Sequence, residues 1–352
     1  MDGCTVTVTR NMVFQQFLSR NGWQDAGITR LAGDASTRRY LRLSREHDTA
    51  IVMDVPGKGD SVDPFLAMTE WLRSCGYSAP NVLATERTAG FLLLEDLGED
   101  LYSVWLRRNP EDEETLYTRA VEVLVDIAAR PPPRSIGSQP AQTPVPPYND
   151  VALEREVLLM PQWWMRAALR GPVKEAATEV YLNLMRRALR DIAECRQVMV
   201  LRDYHADNLL WLPDRVGLAS VGLLDYQDVV AGHPAYDLVS LLEDARRDTG
   251  ADLREAMITH YLALRPEEDP QSFRRAYAVL GAQRNLKIIG IFARLAVRDR
   301  KPRYLQMIPR VWAHLQNDLE HPALEELRDW VAQNVPSPSD DVLASIMAEA
   351  AQ

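Results

Sequence analysis

The chain has 352 residues, 46% of them hydrophobic and 26% charged, which is enough to bury a core without disulfide or metal staples. A formal charge of −10 excludes a broad electrostatic grip on nucleic acid or acidic lipid, since each needs a net basic face. Cys4, Cys75 and Cys195 form no Cys-x-x-Cys pair, the N-terminus lacks a basic start and an apolar run, and no stretch approaches the roughly 20 apolar residues of a membrane helix, so the expected compartment is the reducing cytoplasm.

In chain order, residues 12–18 predict a short helix, closed by the turn Asn21-Gly22-Trp23. Residues 28–43 predict two strands around Gly33-Asp34-Ala35-Ser36, and residues 50–53 a third that ends at Pro56-Gly57. Phe65, Met68 and Leu72 recur at helical spacing within 64–75, and residues 82–84 and 90–94 complete a small sheet. After Gly98 the pattern turns helical, clearest over 116–129. Seven prolines between 131 and 147 predict an extended or mobile loop. Helices resume at 151 and over 174–195, short strands are expected at 199–201, 209–211 and 221–224, and helices fill the rest to about 334, before a tail that ends as a loosely held helix. The order predicts an α+β chain: an N-terminal helix (1–24), a β-rich N-lobe (25–97), a mainly helical C-lobe (98–335) and a tail (336–352).

The chemistry concentrates in L-R-D-Y-H-A-D-N-L-L-W (201–211) and L-L-D-Y-Q-D (223–228). Phosphoryl transfer needs a carboxylate to take the proton of the attacking hydroxyl, and hard oxygen ligands for Mg²⁺ on the phosphates. Asp203 fits the first role, and Asn208 with Asp225 fit the second. Either string alone arises by chance, with Asp203 capping a turn and Asp225 ending a strand. Their joint order, followed by G-H-P-A-Y-D-L (232–238), carries the argument; Asp237 is read as structural.

With these landmarks the chain resembles the aminoglycoside phosphotransferase family, which implies a two-lobed, protein-kinase-like fold with ATP and Mg²⁺ as cofactors. The loop His of that family is replaced here by Leu201. The resemblance places Gly33, Ser36, Thr37 and Arg38 over the ATP phosphates, and Glu95, Asp96 and Leu97 at the hinge beside the adenine. The third strand has Met53 where a phosphate-binding Lys is usual, so Arg38, Arg39 or Arg42 substitutes, or phosphate binding is weaker, or the chain is a degenerate kinase. Glu70 lies where a partner for that cation would stand.

On the acceptor side, Arg284, Lys287, Arg294, Arg298 and Arg300 make a strongly basic stretch, which reads either as a solvated helix face or as a site for a neutral or anionic acceptor. The strings A-I-V-M-D-V-P, G-F-L-L-L-E-D-L-G and A-Q-R-N-L-K-I-I-G-I-F-A-R are similar to those of bacterial anomeric kinases of N-acetylmuramate and N-acetylglucosamine in peptidoglycan recycling. That likeness implies a sugar 1-phosphate as product, and places Tyr148, Glu156, Trp163 and Trp164 in the sugar pocket, although a Trp pair on a helix is more often core. The expected partners are ATP and an amino sugar, on a monomer without nucleic acid or membrane. Another small-molecule kinase of this fold, or an inactive nucleotide-binding module, are the alternatives.

Overall fold

The computed structural model describes residues 2–31, 38–56, 61–192 and 195–350. They divide into two compact units, neither continuous in sequence: Met1–Trp105 with Pro133–Val145 and Asn208–Asp228, and Leu106–Pro132 with Pro146–Asp207 and Val229–Gln352. No helix among the described residues is long and apolar enough to cross a membrane.

The first unit opens with α1 (Asp2–Arg20), much longer than the predicted residues 12–18, followed by β1 (Gly27–Arg30), β2 (Arg39–Arg45), β3 (Asp48–Asp54), α2 (Asp63–Ser74), β4 (Val82–Glu86) and β5 (Phe91–Glu95). The strands form one antiparallel sheet in the order β1-β2-β3-β5-β4. Successive side chains on a strand point to opposite faces, so Leu43, Ala50, Val52, Phe91 and Leu93 share one face. There they bury Phe17 and Leu18 of α1 together with Trp23. Burial of each large side chain contributes about 1.5–3 kcal/mol, so α1 is an integral layer of this unit. Pro64 sits in the first turn of α2, where its missing N–H costs no helical bond, and Phe65, Met68, Thr69 and Leu72 form the buried stripe.

After α3 (Tyr102–Arg108) and α4 (Glu113–Ala128), the proline-rich segment departs from its prediction. It is an ordered hairpin of β6 (Ser135–Ile136) and β7 (Thr143–Pro144), not a mobile loop. Glu70 of α2 accepts from the backbone N and the hydroxyl of Ser138, at 3.1 and 2.6 Å, and Gly137 lies so close that a Cβ there would meet Ala67 Cα at 2.7 Å. Glu70 is therefore an exposed anchor for the hairpin and not the expected partner of a phosphate-binding cation.

The second unit continues with α5 (Asp150–Val157), a π-helical stretch Met160–Met165, α6 (Arg166–Ala168), α7 (Glu175–Arg190) and β8 (Val198–Val200). The helix predicted to reach residue 195 thus ends at Arg190. The chain returns to the first unit for β9 (Leu209–Trp211) and β10 (Val221–Leu223), then pairs β11 (Val230–Gly232), a strand not predicted, with β8. Next come α8 (Ala235–Leu242), α9 (Ala251–Leu264), α10 (Pro270–Val297), α11 (Ile308–Leu319), α12 (Glu325–Asn334) and α13 (Asp340–Ala350).

The 28-residue α10 is the spine of this unit, capped by Asp269, which accepts from Ser272 N at 2.8 Å. It is buried around most of its circumference, which is why its sequence shows no clean amphipathic period. The C-terminal helix is not loosely held: Ile346 is fully buried, Arg170 donates twice to Ser345, and Trp164 Nε1 donates to Pro336 O at 2.9 Å. Trp164 is accordingly core and not part of a sugar pocket.

Candidate active site

The segment leading to Asp203 is pinned by its backbone. Leu201 N and Arg202 N donate to the two carboxylate oxygens of Asp237, at 2.6 and 2.8 Å, and Arg202 O accepts from Ser240 Oγ at 3.1 Å. Arg202 has φ = 70°, a left-handed conformation that costs a non-glycine residue on the order of 1–2 kcal/mol and persists where neighbours over-determine it. Beyond it, Tyr204 OH donates to Ala120 O and Ala206 N donates to Asp244. Asp203 is exposed while Tyr204, His205 and Ala206 are buried. The result is an accessible carboxylate on a loop fixed from both sides. Leu201 itself is buried, and its N–H supplies the tie to Asp237, whose carboxyl burial pushes up to about 7 against the pull of the two backbone donors. Burial likewise lowers the His205 imidazole, with the Asp244 carboxylate opposing it.

Asn208 and Asp225 belong to the other unit, where one ribbon brings them together. β9 pairs with β10 so that Leu209 faces Leu223, and Leu224 N donates to Asn208 O at 3.0 Å, leaving Asp225 next along the same end. The ribbon is tied to the sheet side by Ser78, which pairs with Gly222 and accepts from Leu223 N at 2.9 Å. Asp225 is exposed at φ = 54°, and Gln227 Nε2 donates to its Oδ1 at 2.8 Å. Beside it Tyr226 is buried, hydrogen-bonded to Thr69 Oγ1 at 2.8 Å and stacked on Phe65 at 5.1 Å. The Tyr40 phenol is pushed up to about 12 by burial and by the nearby Asp225 carboxylate. Among the described residues no group of three or more His, Cys, Asp or Glu forms a metal cage. A carboxylate and an amide oxygen do suit Mg²⁺, which keeps waters and substrate phosphate oxygens for most of its shell.

In the same unit, Arg42 is committed to the turn after β5: its guanidinium meets Asp96 at 2.8 and 3.0 Å, Gly98 O at 2.9 Å and the Glu99 carboxylate. Asp96 also accepts from Gly98 N, shaping the turn after β5, and Glu95 pairs with Arg215 at 2.6 Å. The Asp96 and Glu95 side chains are thus structural, which leaves the backbone of Asp96 and Leu97 for any nucleotide contact. Met53 is fully buried in register with Tyr40 and Leu92. Arg38 and the exposed Arg39 remain near the start of β2, while Gly33, Ser36 and Thr37 lie outside the described residues.

Glu156 centres a polar cluster in the second unit. Its carboxylate accepts from Tyr148 OH, from Arg202 Nη2 at 2.5 Å, from Lys287 Nζ at 3.1 Å and from Gln283 at 3.3 Å. Tyr236 completes the group, 3.0 Å from Tyr148 OH and 3.3 Å from Lys287. Burial alone would raise the Glu156 carboxyl, but Lys287 and Arg202 outweigh it and hold it low. Three expected residues therefore meet here, and the fourth does not: Arg284 is buried against Ser240 Oγ and Glu243 O. Nor does the basic stretch form one face, since Arg298 is exposed and paired with Asp299. Arg202 escaped the sequence reading, although its place directly before Asp203 marks it.

This architecture is the protein-kinase-like fold. It superimposes on the ADP-bound aminoglycoside phosphotransferase APH(2'')-Ib with a TM-score of 0.59 at 14% identity, covering 92% of this chain and 99% of that one. Residues 27–277 match the model of the phosphotransferase enzyme family, and the chain belongs to that family. It is similar to the N-acetylmuramate/N-acetylglucosamine kinase of Caulobacter vibrioides, 39% identical over 94% of this chain and 98% of the relative. The Pseudomonas putida protein of the same name is 30% identical, covering 89% and 91%.

Proposed function

We propose that this protein is an ATP-dependent kinase that phosphorylates the anomeric hydroxyl of N-acetylmuramate and N-acetylglucosamine, yielding sugar 1-phosphates in peptidoglycan recycling. The observation that carries the reading is the 39% identity, nearly end to end, with a kinase named for both sugars. An exposed carboxylate at Asp203 on a fixed loop, and paired oxygen donors at Asn208 and Asp225, support it. In this reading the nucleotide is held by the first unit, through Arg38, the Asp96–Leu97 backbone, Asn208 and Asp225, and the acceptor by the second, through Tyr148, Glu156 and Lys287.

Asp203 accepts a hydrogen bond from the acceptor hydroxyl and takes its proton as the oxygen–phosphorus bond forms and the bond to the ADP oxygen breaks. The anomeric hydroxyl is the most acidic of the sugar because the ring oxygen withdraws electron density, so little basicity is asked of the carboxylate. Mg²⁺ held by Asn208 and Asp225 would supply charge neutralisation on the phosphates. The test is an amino-sugar panel with ATP, read by phosphorus NMR. Free N-acetylmuramate and N-acetylglucosamine should give 1-phosphates and their methyl glycosides none. Comparable phosphorylation of the methyl glycosides would sink the anomeric assignment.

A further inference from the structure

We infer that Arg202 is a positioning residue for phosphoryl transfer, its guanidinium holding the neighbouring Asp203 carboxylate in place through Glu156; this rests on the sugar-kinase reading above. The starting point is the backbone. Asp203 N donates to Leu201 O at 2.9 Å, which closes a three-residue turn centred on Arg202 at φ = 70°, the rare and strained form of that turn. Glycine takes such a φ without steric cost, yet an arginine stands here. Strain of this kind persists only where the surroundings over-determine it, and it gathers at sites that need a fixed geometry.

The arginine side chain supplies part of that determination. Its Nη2 meets Glu156 Oε1 at 2.5 Å, and the guanidinium carbon lies 5.4 Å from the centre of the Tyr148 ring. Its Nε is buried without an acceptor, a cost that a rotamer turned to solvent would avoid, so these contacts select the inward conformation. Glu156 is itself a fixed point. Tyr148 OH, Lys287 Nζ at 3.1 Å and Gln283 Nε2 at 3.3 Å all meet its other oxygen, Oε2, so the carboxylate of α5 is held by two residues of α10 and by the segment before α5. The turn is thus gripped on two sides. Arg202 N and O are bonded to Asp237 and Ser240 of α8, and the side chain reaches α5. Bonds to one helix leave the turn a rotation about the line that joins them, along which the strained φ could relax. A third contact away from that line removes the rotation. Asp203 is the next residue, so any such rotation would carry its carboxylate away from the hydroxyl it must meet.

The experiment combines steady-state kinetics on ATP and N-acetylglucosamine with melting temperatures, for the wild type, Arg202→Gly and Arg202→Lys. Glycine suits the backbone and removes the bridge, so it separates the two roles. Assayed below its melting transition, Arg202→Gly should lower kcat about 10–100-fold, the scale of a misplacement near 1 Å, with KM for ATP and sugar within about threefold. Arg202→Lys keeps a charged donor that can meet Glu156, and its kcat should fall between the two. Wild-type kcat in Arg202→Gly, a loss carried by KM alone, or a lysine variant no faster than glycine would overturn the inference and leave the backbone bonds to support Asp203. Turnover of neither N-acetylglucosamine nor N-acetylmuramate by the wild type would overturn the sugar-kinase reading, and this inference with it.

Discussion

Asp203 stands one residue after a left-handed arginine whose backbone N–H, carbonyl and guanidinium are all engaged, by Asp237, Ser240 and Glu156. A carboxylate so placed moves little when the acceptor binds, so its loss should affect turnover and spare nucleotide binding. Asp203→Asn is expected to lower kcat by roughly 10²–10⁴-fold with unchanged ATP affinity by calorimetry; substantial residual turnover would remove it from the proton-accepting role. Asp225→Ala should weaken nucleotide binding in the presence of Mg²⁺ and leave metal-free binding unaltered. For the cation missing at Met53, Arg42 is held by Asp96, Gly98 and Glu99, and Arg38 and Arg39 stand at the start of β2. Alanine at Arg38 should reduce ATP affinity more than alanine at Arg42, whose cost should appear in melting temperature; ATP affinity untouched by both Arg38→Ala and Arg39→Ala would discard the idea.

Between elements, contacts far apart in sequence hold the site's supports. α2 reaches the Asp225 loop through Phe65 and Thr69, both against the buried Tyr226. Tyr226→Phe keeps the ring and removes one buried hydrogen bond, leaving Thr69 Oγ1 its bond to Phe65 O, so a loss of about 1 kcal/mol is expected by denaturant unfolding. α10 is closely approached at two glycines: a Cβ at Gly290 would stand 2.7 Å from Leu159 Cβ, and one at Gly281 2.6 Å from the Asp318 carboxyl carbon. At Gly290 the atoms nearest to such a Cβ are the Leu159 backbone C and O, so Gly290→Ala should destabilise by about 1–3 kcal/mol or more in spite of alanine's helix propensity. A neutral or stabilising result would mean that the π-helical stretch beside Leu159 can yield.

Over the whole molecule, buried histidines and buried carboxyls couple stability to pH with opposite signs. His233 and His314 are both lowered from 6.5 to about 4, by burial in each case, with Arg254, Arg284 and Arg310 adding to the effect at His314. His233 also uses Nδ1 to accept from Ala235 N at the start of α8, a bond that protonation removes. A group whose folded pKa is depressed is protonated more readily when unfolded, so its stabilisation is complete above pH 6.5 and is lost as pH falls toward 4. Glu243 and Asp318, joined through Asn285 at 2.7 and 2.9 Å, and Asp237, pushed up to about 7, have the opposite sign: burial raises all three, and their contribution is lost as pH rises through the raised values. The histidine contribution is therefore lost between pH 6.5 and 4, so the melting temperature of His314→Gln relative to the wild type should rise as pH falls through that range. A constant difference between variant and wild type across the range would clear His314.

Local pattern alone announced much of this protein. The apolar run Ala50–Met53, the helical recurrence of Phe65, Met68 and Leu72, and the five-residue spacing of Asp203 and Asn208 are properties of short windows, because strand, helix pitch and loop are each written within about a dozen residues. Long-range pairing had no such signature. β11 is three residues long and exists because β8 offers it a partner; the proline-rich hairpin exists because Glu70 and Ala67 receive it; and α10 hides its period because neighbours bury most of its surface. The same holds at the site. Composition placed a basic stretch at 284–300, but only packing separated Arg284, turned inward onto Ser240, from Lys287, turned toward Glu156, and joined to that carboxylate an arginine 46 residues away in sequence. Which charges meet is decided by burial and by the backbone bonds that hold the loop, and a linear sequence carries those only after it has folded.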